Sequence, residues 1–225
     1  MKTKIVLIIT GVISLCVMIV GLIFKSSHKD FNQQDNALDN FVVGIMDDEL
    51  ADVQISKMYA ELDNCNIIIA AECIEEPFFR FGCITEKVVV RNVFKGENIE
   101  AGEEINIGRS SSCIFMEDEM LINEMPTINM GFVRAMQPGK TYLIFLAEEK
   151  DMEGKERLYI QPARFFISPI FCYEETESMP YGSIDSKGNY NEYKIVKESE
   201  FFLASEESIE KIYELKTKLI TQYGY

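Results

Sequence analysis

The sequence has no tryptophan and one histidine, and none of its six cysteines forms a Cys-x-x-Cys pair. Zinc ligands at the usual spacing are therefore missing, and so is the base that a Ser-His or Cys-His nucleophile needs. The single histidine, His28, lies among Ser26, Ser27, Lys29 and Asp30 just past a long apolar run and reads as a surface residue. Positive charge is scarce as well: 22 Lys and Arg stand against 37 Asp and Glu, a formal charge of −15 over 225 residues. A chain this acidic repels a phosphate backbone, so no nucleic acid is expected as a partner. There is no Asn-x-Ser/Thr sequon, no internal repeat and no low-complexity tract. What is abundant is apolar material: 47% hydrophobic and 11% aromatic residues fill a real core and exclude wholesale disorder.

Residues 5–24 carry no charge and follow Lys2 and Lys4, with only Thr10, Gly11, Ser14, Cys16 and Gly21 interrupting Val, Ile, Leu, Met and Phe. At about 1.5 Å per residue such a helix covers about 30 Å, the hydrocarbon thickness of a bilayer. The boundary Gly21-Leu22-Ile23-Phe24-Lys25-Ser26-Ser27 offers no pair of small residues for a signal peptidase, so the run reads as a retained anchor. Cleavage would instead release a secreted form. Leu15 before Cys16 argues against lipidation, and Cys16 reads as a small hydrophobe inside the span. The lysine margin is thin and puts the short amino-terminal tail inside.

The expected organisation is a cytoplasmic tail at 1–4, a transmembrane anchor at 5–24, a polar stalk at 25–46 and an extracytoplasmic domain at 47–225 on the cell membrane. Setting aside Lys2, Lys4, Lys25 and Lys29 leaves 18 basic groups against 37 acidic ones, a net −19 on the outer portion. Anionic head groups and wall polymers repel such a domain unless cations screen it.

Ile55, Met58, Tyr59 and Leu62 follow the spacing of one helical face and predict a helix over 48–63. Residues 66–74, 83–94, 105–107, 142–146 and 158–167 read as strands, separated by turn signals such as Gly96, Gly102 and Pro138-Gly139. Ser205, Glu206 and Glu207 start a helix over 205–221, with Lys216 and Lys218 in its last turn. Its stripe of Ile209, Ile212, Tyr213, Leu219 and Ile220 is expected to face the protein's own core, with a partner-binding helix as the alternative. The expected class is mainly β (α+β): a small closed or half-closed β structure with flanking helices.

The order of Asn66-Ile-Ile-Ile-Ala-Ala-Glu-Cys-Ile, Val88-Val-Val-Arg-Asn-Val-Phe-Lys-Gly96, Ile99-Glu-Ala-Gly-Glu-Glu-Ile-Asn-Ile107 and Gln137-Pro-Gly-Lys-Thr-Tyr-Leu-Ile-Phe-Leu146 resembles the bacterial netrin/TIMP-like surface domains over residues 50–170. The resemblance implies a five-stranded OB-like barrel. Animal relatives that inhibit metalloproteinases reach the metal with an amino-terminal cysteine, which has no counterpart here, so only the fold carries over.

Among the five cysteines beyond the apolar run, Cys73 and Cys83 end one expected strand and begin the next, which makes them the first candidates for a disulfide; five reduced, buried thiols are the alternative. Gly139-Lys140-Thr141 lacks the upstream glycine of a phosphate loop, since Arg134 stands there. Glu117, Asp118 and Glu119, like Asp47, Asp48 and Glu49, lack the alternating ligands of a calcium loop and read as solvated acidic faces. No metal or other cofactor is expected. Phe78, Phe79, Arg80 and Phe81 occupy the loop between the first two expected strands, a common ligand position in OB-like barrels. These residues suit recognition, and their alternative role is to plug the barrel end. The expected function is non-catalytic: a membrane-anchored extracytoplasmic domain binding a protein or cell-wall component. A cell-surface hydrolase using paired carboxylates and an extracellular protease inhibitor are the alternatives.

Overall fold

A computed structural model of the chain describes residues 14–15, 17–20, 31–80, 83–109, 114–115, 125–150, 157–181 and 190–224. Two units are distinguished, Met1–Ala37 and Leu38–Tyr225. In the first, residues 14–15 and 17–20 are helical and Phe31–Gln33 forms a 3-10 turn. The rest of the expected span at 5–24 lies outside the described residues, among which no helix is long and apolar enough to cross a membrane.

The second unit is an α+β fold dominated by strands. Its larger sheet contains β2 (Ile67–Cys73), β3 (Phe78–Arg80), β4 (Cys83–Lys95), β5 (Glu104–Gly108), β8 (Thr141–Leu146), β9 (Glu148–Lys150), β10 (Leu158–Ile160) and β11 (Ile170–Cys172). They run in the order β11-β8-β2-β4-β5-β10-β9, with β3 paired to β4. A smaller sheet orders β12 (Tyr190–Glu192), β1 (Val42–Gly44), β7 (Thr127–Ile128) and β6 (Ile114–Phe115). Most pairs are antiparallel; β5 with β10 and β1 with β7 are parallel.

The strands β2 and β8 are buried on both faces, which explains their nearly unbroken apolar sequences. One face carries Ile69, Ala71, Cys73, Val88, Val90, Ile105, Ile107, Tyr142 and Ile144. The other carries Ile68, Leu143, Phe145 and Phe171 and is covered by two helices, α1 (Asp48–Glu61) and α3 (Glu206–Gln222). A one-turn helix, α2 (Tyr193–Val196), follows β12. Asp47 caps α1 by accepting from Leu50 N at 2.9 Å, and Ser205 caps α3 by accepting from Ser208 N at 3.2 Å. The hydroxyls of Ser205 and Ser208 both donate to Asp48, joining the two helix starts and holding the Asp48 carboxyl below its ordinary range.

Three expectations need correction. The large sheet is not closed into a barrel, because its outer strands β11 and β9 do not pair. The strand expected over 158–167 stops at Ile160: Pro162 has no N–H to offer a ladder, and Phe165 N turns back to Pro162 O at 3.3 Å. Finally, the expected stalk ends early, since Phe41, Val42, Val43, Ile45 and Met46 are buried and residues 42–44 form a central strand of the small sheet.

Candidate functional site

Phe78, Phe79 and Arg80 lie on β3, each half-buried, opposite Thr85, Ile84 and Cys83 of β4. Phe79 stacks on the fully buried Phe41 with ring centroids 5.6 Å apart, so its ring ties the β3–β4 pair to β1. Phe81 lies outside the described residues. The expected Cys73–Cys83 bridge is not formed. Register explains this: Cys73 pairs with Val88, which leaves Cys83 five residues further along β4, about 16 Å at the usual strand rise. Cys73 Sγ donates to Glu75 O at 3.3 Å instead.

Next to this corner, β4 turns Ile84, Glu86, Val88 and Val90 inward, placing one carboxylate in an apolar row. Glu86 is balanced by Arg109, just past the end of β5. Arg109 Nε and Nη2 reach the two carboxylate oxygens at 2.8 and 3.0 Å, and neither side chain is exposed. Arg109 Nη1 donates to Met130 O at 2.8 Å and Val133 O at 2.7 Å, and Nη2 donates to Arg134 O at 2.6 Å. A guanidinium has five N–H groups, and all are engaged. Met136 N completes the pair by donating to Glu86 at 2.6 Å.

The segment that Arg109 grips contains two successive residues in the left-handed region, Gly131 at φ +61° and Phe132 at φ +55°. Glycine adopts it freely, but an aromatic residue there costs about 1 kcal/mol or more. The surroundings fix the conformation. Gly131 O accepts from Ser168 N at 2.8 Å and Phe132 O accepts from Phe202 N at 2.9 Å, so every carbonyl from Met130 to Arg134 is engaged. Asn129 Oδ1 adds a bond from Gly131 N at 2.9 Å.

Beside Phe132 a cleft of about 170 Å³ opens, lined by Gly44, Thr127, Ile128, Asn129, Met130, Phe132 and Tyr190. Gly44 forms part of its wall, and a Cβ there would come within 3.3 Å of the Phe132 ring. The wall is mostly apolar; the hydroxyl of Thr127, one of the lining residues, is buried and has no hydrogen-bond partner among the described residues. Sequence reasoning missed this site, although the lone acid at Glu86 in an otherwise apolar inward row was a legible signal.

A second buried ion pair joins α3 to the strands. Lys216 Nζ contacts Glu200 at 2.6 Å and Thr176 Oγ1 at 2.7 Å, and Cys172 N donates to the other Glu200 oxygen at 2.8 Å. Burial pushes the Cys65 thiol up to about 11 and those of Cys73 and Cys172 up to about 12. These groups stay protonated and are poor nucleophiles at neutral pH. Among the described residues no cluster of three His, Cys, Asp or Glu side chains is arranged to hold a metal ion. Asp47 and Asp48 serve the helix starts, and Glu117, Asp118 and Glu119 lie outside the described residues. No known family profile and no curated protein matches the chain in sequence.

Proposed function

We propose that the chain is a membrane-anchored extracytoplasmic binding protein, without catalysis, that captures an aromatic side chain of a basic partner protein in the cleft beside Phe132. The observation that carries this reading is the left-handed Phe132, held in place by engaged carbonyls on both sides and forming one wall of the cleft. Backbone strain of this kind clusters at ligand clamps. Size selects the guest. A cavity of about 150 Å³ admits benzene, whereas metabolite pockets usually measure about 300–1,000 Å³. A single aromatic ring fits the mostly apolar walls. The net charge of the outer portion favours a cationic partner.

Other observations support the remaining parts. Leu15, Val17, Met18, Ile19 and Val20 are helical and exposed, apolar surface that a bilayer would cover. The two most deeply buried carboxylates, Glu86 and Glu200, are each committed to a cation and to backbone N–H groups, which leaves them no part in acid-base chemistry or in a hydrolase pair. A netrin/TIMP-like, OB-like ancestry is supported by the passage from β8 to β9. Only Ala147 separates them, its N–H donates to Ile160 O at 2.9 Å, and the two strands flank opposite ends of the path β2-β4-β5-β10.

Titration with p-cresol, the tyrosine side-chain analogue, tests the cleft directly. Amide resonances of Gly44, Thr127 and Tyr190 should shift together in the millimolar range, and shifts spread over the surface or absent from these residues would refute the assignment.

A further inference from the structure

Arg134 is a buried cation for which the described residues provide no counter-charge. The residue is 5% exposed, its Nη1 donates to Glu198 O at 3.0 Å, and its Nε and Nη2 have no partner among the described residues. Its backbone is fixed, with N–H donating to Glu200 O at 3.0 Å and the carbonyl held by Arg109. The nearby carboxylates are taken: Glu86 by Arg109, and Glu200 by Lys216, Thr176 and Cys172 N. A buried lysine or glutamate escapes such a position by losing its charge, but a guanidinium does not deprotonate in proteins.

The neighbourhood is also rich in donors. Tyr193 OH accepts from Ala135 N at 3.2 Å and Tyr142 OH accepts from Gln137 N at 2.8 Å. Both phenols are buried, and neither O–H has an acceptor of its own among the described residues. Burial raises the pKa of both phenols and keeps them protonated at neutral pH, against the lesser opposing effect of the Arg134 charge. Unanswered N–H donors on a buried guanidinium with no carboxylate paired to it among the described residues define a receptor for a small anion. Water would satisfy the hydrogen bonds but not the charge.

We infer that Arg134 binds a monoanion of halide or carboxylate size through Nε and Nη2. The bound ion would brace the segment carrying Phe132 against residues 198–200.

The test uses the full chain in detergent at constant ionic strength, replacing bulky gluconate stepwise with chloride, bromide or formate. Thermal unfolding should shift upward by about 3–5 °C per tenfold rise in a fitting anion once the site fills. Halide and formate arms distinguish the two sources of negative charge. Arg134→Gln should abolish the dependence, and bromide-soaked crystals of the natural protein should show an anomalous peak beside Arg134, which keeps the test decisive even if the variant fails to fold. Equal responses to gluconate and to the small anions, a bromide peak without any change in unfolding, meaning an adventitious ion only, or neither a formate response nor a halide response with its bromide peak would each overturn the inference.

Discussion

Glu86 and Arg109 meet as a bidentate ion pair at 2.8 and 3.0 Å with neither side chain exposed, and the same guanidinium holds three backbone carbonyls of the segment carrying Phe132. The pair thus sets the wall of the cleft, and removing one partner strands a charge together with several polar groups.

Arg109→Met should destabilise the domain by about 3–5 kcal/mol in urea unfolding. Simple buried pairs are often replaced by apolar residues without loss, but here Glu86→Leu with Arg109→Met still orphans the Met130, Val133 and Arg134 carbonyls. The double variant should remain about 2 kcal/mol or more below the natural protein. Equal stability would show that the clamp contributes nothing.

The Lys216–Glu200 pair predicts a contrast along a single helix. Lys216→Met leaves a buried carboxylate unpaired and should cost about 3–5 kcal/mol, while Lys218→Ala, which removes only a partly exposed contact over Tyr59, should cost under about 1 kcal/mol. Urea midpoints of the two variants decide it.

Much of this architecture is legible in the sequence, and the exceptions have physical causes. Period and capping place α1 and α3, and the apolar runs place β2, β4 and β8 to within a residue or two. The run Phe41-Val42-Val43-Gly44-Ile45-Met46 is hidden by the polar residues before it, and Pro162 cuts one expected strand short. Lys216 reads as a surface lysine near a helix end, yet its stem turns the ammonium inward to Glu200. Phe132 carries no local signal at all, because its left-handed backbone is imposed by Arg109, Ser168 and Phe202 from distant parts of the chain.

The buried thiols predict an alkaline limit. Cys65, Cys73 and Cys172 titrate higher in the folded protein, at about 11 to 12, than the value near 8.5 of an unfolded chain, because burial disfavours the thiolate. Their contribution to stability is complete below about pH 8.5 and is lost as pH rises towards 12. Urea midpoints should be level between pH 7 and 8 and fall steadily from pH 9 to 11. A midpoint that rises with pH in that window would contradict the burial of these groups.

Phe79→Ala removes the stack on Phe41 and should cost about 2 kcal/mol, whereas Phe78→Ala should cost less. If Phe79→Ala unfolds normally but abolishes partner capture, the ring belongs to a recognition surface and not to the packing of β1.

Protease added to intact cells should digest residues 38–225. Protection in cells together with digestion in lysates would place the domain on the other side of the membrane.

Photo-cross-linking from the rim of the cleft tests the central claim most directly. With p-benzoylphenylalanine in place of Tyr190, irradiation of intact cells should give one dominant protein adduct. Gly44→Val, which fills the cleft, should abolish it, and the same probe at Val53 on α1 should not give it. No adduct from position 190, or an equal adduct that survives Gly44→Val, would contradict binding in the cleft.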